Sequence, residues 1–123
     1  MGNRKVVVID DDPMIRFLIQ EYLNAFGFSI EAFAGGSEAL PVIELSPPDL
    51  VVIDMQMPDM NGFEVLEKLR ANPTTAGVAT LMLSANASDG PSLSEIQPDA
   101  YLEKPFQMQG LLDAVQNTTR SNT

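Results

Sequence analysis

Asp10, Asp11 and Asp54 are the residues of this chain whose type and spacing point first to chemistry. Two near-copies, Val7-Val8-Ile9-Asp10 and Val51-Val52-Ile53-Asp54, run apolar and then stop on an acid. An unbroken aliphatic and β-branched run of this length reads as a buried strand, so each acid falls at a strand's carboxyl end. A further apolar block, Ala79 to Leu83, is followed by Ser84, and the candidate strand Ala100 to Glu103 is followed by Lys104. Ligands of open α/β sheets bind in the crevice outside the carboxyl ends of the strands, which is where these polar groups converge. Clustered carboxylates raise one another's pKa unless a cation is present. Oxygen donors of this kind suit Mg2+, which also favours sites shared with phosphate. Lys104 is the only basic residue between Arg70 and Arg120 and offers a mobile charge to phosphate oxygens. Aspartate is an accepted phosphoryl acceptor, and the transfer depends on positioning and charge neutralisation more than on a strong base. Ser84 is placed to hydrogen-bond the new phosphoryl oxygens and draw its loop inward, turning a local charge change into a surface change.

The elements that must position these groups alternate. Ile15, Leu18, Ile19, Tyr22, Leu23 and Phe26 follow the spacing of one helix face, with Asp12 as cap, Pro13 in the first position and Gly27 just past the end. Phe28 to Phe33 alternates as a half-exposed edge strand does, and Ser37 to Leu45 reads as a helix that tolerates Pro41 only in its first turn. Phe63, Leu66 and Leu69 predict a third helix ending before Asn72-Pro73, and Met108, Leu111, Leu112 and Val115 predict the last. Between Gly90-Pro91 and Gln97-Pro98 only Ser92 to Ile96 is left for a helix, so that element should be short or irregular. Strand-helix alternation of this kind predicts a doubly wound α/β sheet. The expectation is one domain over residues 1–123, with a core over about 4–116 and a polar, frayed tail over 117–123.

Composition removes whole classes of function. With 123 residues, no cysteine and no histidine, the chain has no disulfide, no thiolate nucleophile, no Cys/His zinc site and no histidine base. A net charge of -10 argues against binding nucleic acid, because neutralising phosphates takes clustered basic side chains. The apolar residues fall in short blocks, which predicts no membrane span and a cytoplasmic location.

Along nearly all its length the chain resembles the receiver domains of bacterial response regulators, the phosphoacceptor modules of two-component signalling. The likeness rests on Asp10-Asp11-Asp12-Pro13, on the run Asp54-Met55-Gln56-Met57-Pro58-Asp59-Met60-Asn61-Gly62, on Ser84-Ala85 and on Lys104-Pro105-Phe106, in that order, each at a strand end. The resemblance implies a flavodoxin-like (βα)5 three-layer sandwich whose parallel five-stranded sheet has the order 2-1-3-4-5, and a cis bond before Pro105. It implies Asp54 as phosphoacceptor and Mg2+ held by Asp11 and Asp54, by Asp10 largely through water, and by the Gln56 backbone carbonyl. Lys104 would contact the phosphoryl group, Ser84 and Tyr101 would form the switch pair, and Gln56 and Asn86 would tune hydrolysis. The implied partners are a histidine kinase or histidine phosphotransfer protein and an output partner, with a weak homodimer through the output face as a further option. The domain would catalyse only its own phosphorylation and dephosphorylation. In the span from Ser84 to Lys104, slightly shorter than in many receivers, Asp89 to Gln97 is expected to be poorly ordered without a partner.

Simpler readings stand beside these. Asp12 is best taken as a helix cap, Asp59 as a turn former, and Met55, Met57 and Met60 as packing residues. Ser84 as a plain cap, Tyr101 as edge packing and Lys104 as a resting-state partner of Asp54 remain open. An aspartate-nucleophile phosphohydrolase would share the acyl-phosphate chemistry, but its pattern needs an acid two residues past the nucleophile, where Gln56 stands. A flavin-binding protein could use the same fold, but a crevice lined with carboxylates suits a flavin phosphate poorly.

Overall fold

The computed structural model describes residues 4–85 and 96–121. In chain order the elements are β1 (Lys5–Ile9), α1 (Pro13–Ala25), β2 (Ser29–Phe33), α2 (Gly36–Leu45), β3 (Leu50–Asp54), α3 (Gly62–Ala71), β4 (Ala79–Ser84), β5 (Ala100–Glu103) and α4 (Met108–Ser121). All strand pairs are parallel and the sheet order is β2-β1-β3-β4-β5, as expected. Asn86 and the short helix expected over Ser92 to Ile96, save Ile96 itself, lie outside the described residues. So does the segment expected to lack order, apart from Ile96 and Gln97.

The period of two along each strand divides the core into two layers. Val6, Val8, Leu50, Val52, Leu81 and Leu83 pack against Ile19, Leu23, Leu111 and Val115 of α1 and α4. Val7, Ile9, Val51, Ile53 and Met82 pack against Ala39, Ile43, Val65, Leu66 and Leu69 of α2 and α3. Burial on both faces is why β1, β3 and β4 are apolar without alternation. Strand order reverses at β1 and β3, where neighbouring connections leave in opposite directions, and the crevice between their carboxyl ends carries the site.

The ends of α1 follow the sequence. Asp12 Oδ1 accepts from the Met14 and Ile15 amides at 2.9 and 3.4 Å. Gly27 closes the helix at φ 92°, in the left-handed region that glycine alone enters freely. The expected apolar face is wider than the buried one: Ile19 and Leu23 are buried, but Leu18 and Phe26 stand 42% and 52% exposed. Met14 and Phe17, at 62% and 57%, add to this outward apolar surface.

Two expectations need correction. Pro41 lies inside α2 beyond its first turn. It is tolerated because Pro41 and Ser37, whose carbonyl loses its helical partner there, both face solvent. Residues 117–121 of the expected tail are also helical, since α4 continues to Ser121. Thr118 and Thr119 are buried and donate their hydroxyls to the carbonyls of Ala114 and Val115 at 2.6 and 2.8 Å, so polar residue types here do not mean exposed positions.

Candidate functional site

Asp10 follows β1 directly and is fully buried, and Asp54 ends β3 with 5% exposure, so the sheet itself sets the separation of their carboxylates. Asp11, the next residue, is exposed at the mouth. Asp10, Asp11 and Asp54 each offer an oxygen within 4.8 Å of the others. Together with Asp12, Gln56, Ala85 and Lys104 they line a crevice of about 300 Å3.

Local bonds hold each member. The Asp12 amide donates to Asp10 Oδ1 at 2.9 Å, and Arg16 Nη1 donates to the Asp10 carbonyl at 2.8 Å. The loop after Asp54 is pinned where the Met55 amide donates to the Leu83 carbonyl at 2.9 Å and the Gly62 amide to the Met55 carbonyl at 2.8 Å. Its far end is closed by a reciprocal cap: the Glu64 amide donates to Asn61 Oδ1 and the Asn61 amide to Glu64 Oε1. Lys104 is brought in by its own amide, which donates to the Ser84 carbonyl at 2.7 Å, and the Lys104-Pro105 bond is cis. Its ammonium lies 3.1 Å from Asp54 Oδ1 and 3.9 Å from Asp10 Oδ2.

Burial sets the electrostatics. Desolvation lifts the Asp10 carboxyl from 3.8 to about 6, against the lowering effect of the Asp12 amide. Desolvation also raises Asp54, while the hydrogen bond and charge of Lys104 and the Gln56 amide pull it back. Asp10 Oδ2 is buried with no hydrogen-bond partner. An orphaned carboxylate oxygen facing two more acids is the donor set a hard divalent cation satisfies, so the residues fit Mg2+.

The fold therefore assembles Asp10, Asp11, Asp54, Gln56 and Lys104 as the sequence predicts. Ser84 is buried at the end of β4, one position past the residue paired with Asp54. Tyr101 is not in the crevice. It stands on the edge strand, 38% exposed, and donates its hydroxyl to Gln97 Oε1 at 3.0 Å. Register places Tyr101 beside Met82 and Glu103 beside Ser84, so Tyr101 and Ser84 share a sheet face. Met55, Met57 and Met60 pack on the core as expected. Sequence reasoning gave Asp59 only a turn, yet its Oδ2 accepts from the Ser37 amide of α2 at 3.1 Å. It also passed over Arg16, whose charge near an acidic strand end was the available signal.

A family model described as the response regulator receiver domain matches residues 6–116. The transcriptional regulatory protein KdpE of Mycobacterium tuberculosis is 35% identical over 118 residues, covering 96% of this chain and 52% of KdpE. The chain thus spans about half the length of the relatives it matches. Among solved structures, the CheY-like receiver domain protein from Methanospirillum hungatei superposes with a TM-score of 0.89 at 25% identity, covering 98% of this chain and 97% of that one. Chemotaxis response regulator CheY4 of Vibrio cholerae gives 0.86 at 28% identity, covering 95% and 99%.

Proposed function

The chain belongs to the response regulator receiver domain family, and on that footing we propose that it takes a phosphoryl group onto Asp54 in a Mg2+-dependent reaction and thereby switches a partner-binding surface. The observation that carries this reading is the pairing at the centre of the sheet: a nearly buried acid ending β3, faced by Asp10 and Asp11, with the Lys104 ammonium 3.1 Å away.

Asp10, Asp11, Asp54 and the Gln56 backbone carbonyl are the groups that would hold the cation. Mg2+, when bound, neutralises charge on the carboxylates and on the transferring group. An Asp54 oxygen attacks phosphorus as the bond from the donor's phosphohistidine nitrogen breaks, and the leaving imidazole keeps the electron pair and takes up a proton. Lys104 exchanges part of its contact with Asp54 for the arriving phosphoryl oxygens. Ser84, at the neighbouring strand end, then turns its hydroxyl to the adduct, and Tyr101 gives up its outward position beside Gln97. Water later cleaves the acyl phosphate, so turnover is confined to the domain's own adduct.

The donor is a histidine kinase or histidine phosphotransfer protein, which must present its histidine over the crevice. Beside Asp12 and Lys104, an apolar groove of about 500 Å3 is formed by Ile15, Pro105, Phe106 and Met108. Met14, Phe17 and Leu18, exposed on the same helix as Ile15, offer further apolar surface to such a donor. Among the described residues no helix is long and apolar enough to cross a membrane. A cytoplasmic setting, where such donors present their phosphohistidines, fits the reading.

Incubation with Mg2+ and acetyl phosphate, followed by intact mass under rapid quench, tests the proposal. One base-labile phosphoryl adduct that requires Mg2+ and is missing from Asp54→Ala is expected. An adduct that survives in Asp54→Ala, or none in the wild type, would overturn it.

A further inference from the structure

We propose that Asp59 is a positioning residue of the acceptor site: its carboxylate ties the loop after Asp54 to the amino end of α2 and so holds the Gln56 carbonyl in place. The inference rests on the phosphoacceptor reading above.

The geometry has two sides. On the loop, Asp59 Oδ1 accepts from the Met60 amide at 2.8 Å, which fixes the carboxylate's direction. Across the gap, Asp59 Oδ2 accepts from the Ser37 amide at 3.1 Å. Gly35 is the N-cap of α2 and makes no side-chain cap bond. Asp59 therefore supplies, from another element, the acceptor that an Asp or Ser at the cap would supply locally. The carboxylate also gains from the positive end of the helix dipole. In agreement, the Ser37 amide holds the Asp59 carboxyl below its ordinary range.

The contact leaves no room for a side chain at the cap. A Cβ on Gly35 would lie 2.6 Å from Asp59 Oδ2, and one on Gly36 would lie 2.7 Å from Val65 Cγ2 and 2.8 Å from Met60 Sδ. Other hydrogen bonds secure the loop at Met55, through Leu83 and Gly62, at Gln56, whose amide lies 3.4 Å from Asp54 Oδ1, and at Asn61 by the reciprocal cap, while Met57 and Met60 pack on the core. Asp59 anchors the stretch between them, three residues beyond Gln56, and Pro58 before it limits the slack. Release of that anchor loosens the Gln56 carbonyl, held then by its own long amide bond to Asp54 and the packing of Met57, at the point where the cation needs a fixed oxygen.

The test compares wild type, Asp59→Ala, Asp59→Asn and Gly35→Ala. Mg2+ affinity is read by calorimetry, adduct formation from acetyl phosphate by mass, and amide exchange at residues 37, 55–57 and 59–61 is followed without Mg2+. Asp59→Ala should weaken Mg2+ about ten-fold, the scale for losing a group that orients a ligand. It should also slow adduct formation and speed exchange at Ser37 and Met60. Asp59→Asn, whose one oxygen can serve the Ser37 amide only with its NH2 turned towards the Met60 amide, should recover part of the affinity and fall between wild type and Asp59→Ala. Gly35→Ala should reproduce the Asp59→Ala defect from the helix side. If Asp59→Ala and Gly35→Ala lower thermal stability alone, with Mg2+ affinity and adduct rate as in wild type, Asp59 is merely structural and the proposal is wrong. Wild type that takes up neither Mg2+ nor a phosphoryl group overturns the phosphoacceptor reading itself, an outcome distinct from a defect, or its absence, in the variants.

Discussion

Lys104 Nζ and Asp54 Oδ1 lie 3.1 Å apart, although 50 residues separate them in the chain. On the proposed reading the ammonium occupies in advance the place where negative charge would accumulate on a phosphoryl group, and it offsets part of the rise that burial imposes on the Asp54 pKa. Lys104→Met should cut adduct formation from acetyl phosphate on the order of a hundred-fold, the scale for removing one preorganised charge donor. Mg2+ affinity, read by calorimetry, should stay the same or tighten, because a competing cation has gone from beside Asp54 and Asp10.

The buried Asp10 gives a pH signature with a definite sign. Its pKa rises from 3.8 to about 6 on folding, so the native state binds its proton more tightly than the unfolded state does. That contribution is fully present below the unfolded value and is lost as pH rises through about 6. Asp10→Asn should therefore stabilise the metal-free protein at neutral pH, by on the order of 3 kcal/mol at about 1.4 kcal/mol per pKa unit, with little effect near pH 4. Urea unfolding in a chelator at several pH values measures the difference, and subtracting wild type from variant removes the opposite contribution of Asp59. In the wild type, Mg2+ affinity should climb as pH rises through about 6, because binding displaces the Asp10 proton.

The apolar side chains of α1 separate a protein donor from a small one. Phe17 is 57% exposed, so Phe17→Ser should leave folding nearly unchanged. Adduct formation from acetyl phosphate should also be unaltered. Transfer from a phosphorylated histidine phosphotransfer domain should slow about ten-fold, as for loss of an interface anchor. Equal rates from both donors would remove α1 from the docking surface.

Arg70 holds the opposite end of the sheet. Its Nη1 donates to the carbonyls of Ala76 and Val78, and its Nη2 to Thr80 Oγ1 and Asp99 Oδ2. Asp99 in turn accepts from the Thr80 amide at 2.8 Å, which joins the starts of β4 and β5. Arg70→Met should cost about 2 kcal/mol in urea unfolding, since charged hydrogen bonds to partly buried carbonyls are lost. Mg2+ affinity should not change, because the site lies at the other strand ends.

Gly27 isolates a backbone effect. A Cβ there would meet nothing within 4 Å, so Gly27→Ala changes only the ease of holding φ at 92°. The expected loss is about 1 kcal/mol by thermal unfolding, with adduct formation unaltered.

By itself the sequence determined much of the fold and most of the site, for reasons of local chemistry. Uninterrupted apolar runs mark strands buried on both faces, and the acids that end two of them, Asp10 and Asp54, mark the crevice. Asp12-Pro13 and Gly27 set the ends of α1 because caps and turns act within a few residues. What the sequence misjudged depends on neighbours distant in the chain. Leu18 and Phe26 fit the helix period, yet the sheet beneath α1 covers only the line through Ile19 and Leu23. Thr118 and Thr119 look like tail residues, yet they are buried because α4 continues as a helix and its own carbonyls satisfy their hydroxyls. Asp59 looks like any turn acid until folding brings Ser37, 22 positions away, within hydrogen-bond reach. The placement of Ser84 and Tyr101 is likewise tertiary: Ser84 is buried and Tyr101 faces outward to Gln97 because strand register and side-chain rotation, which no local pattern encodes, decide them.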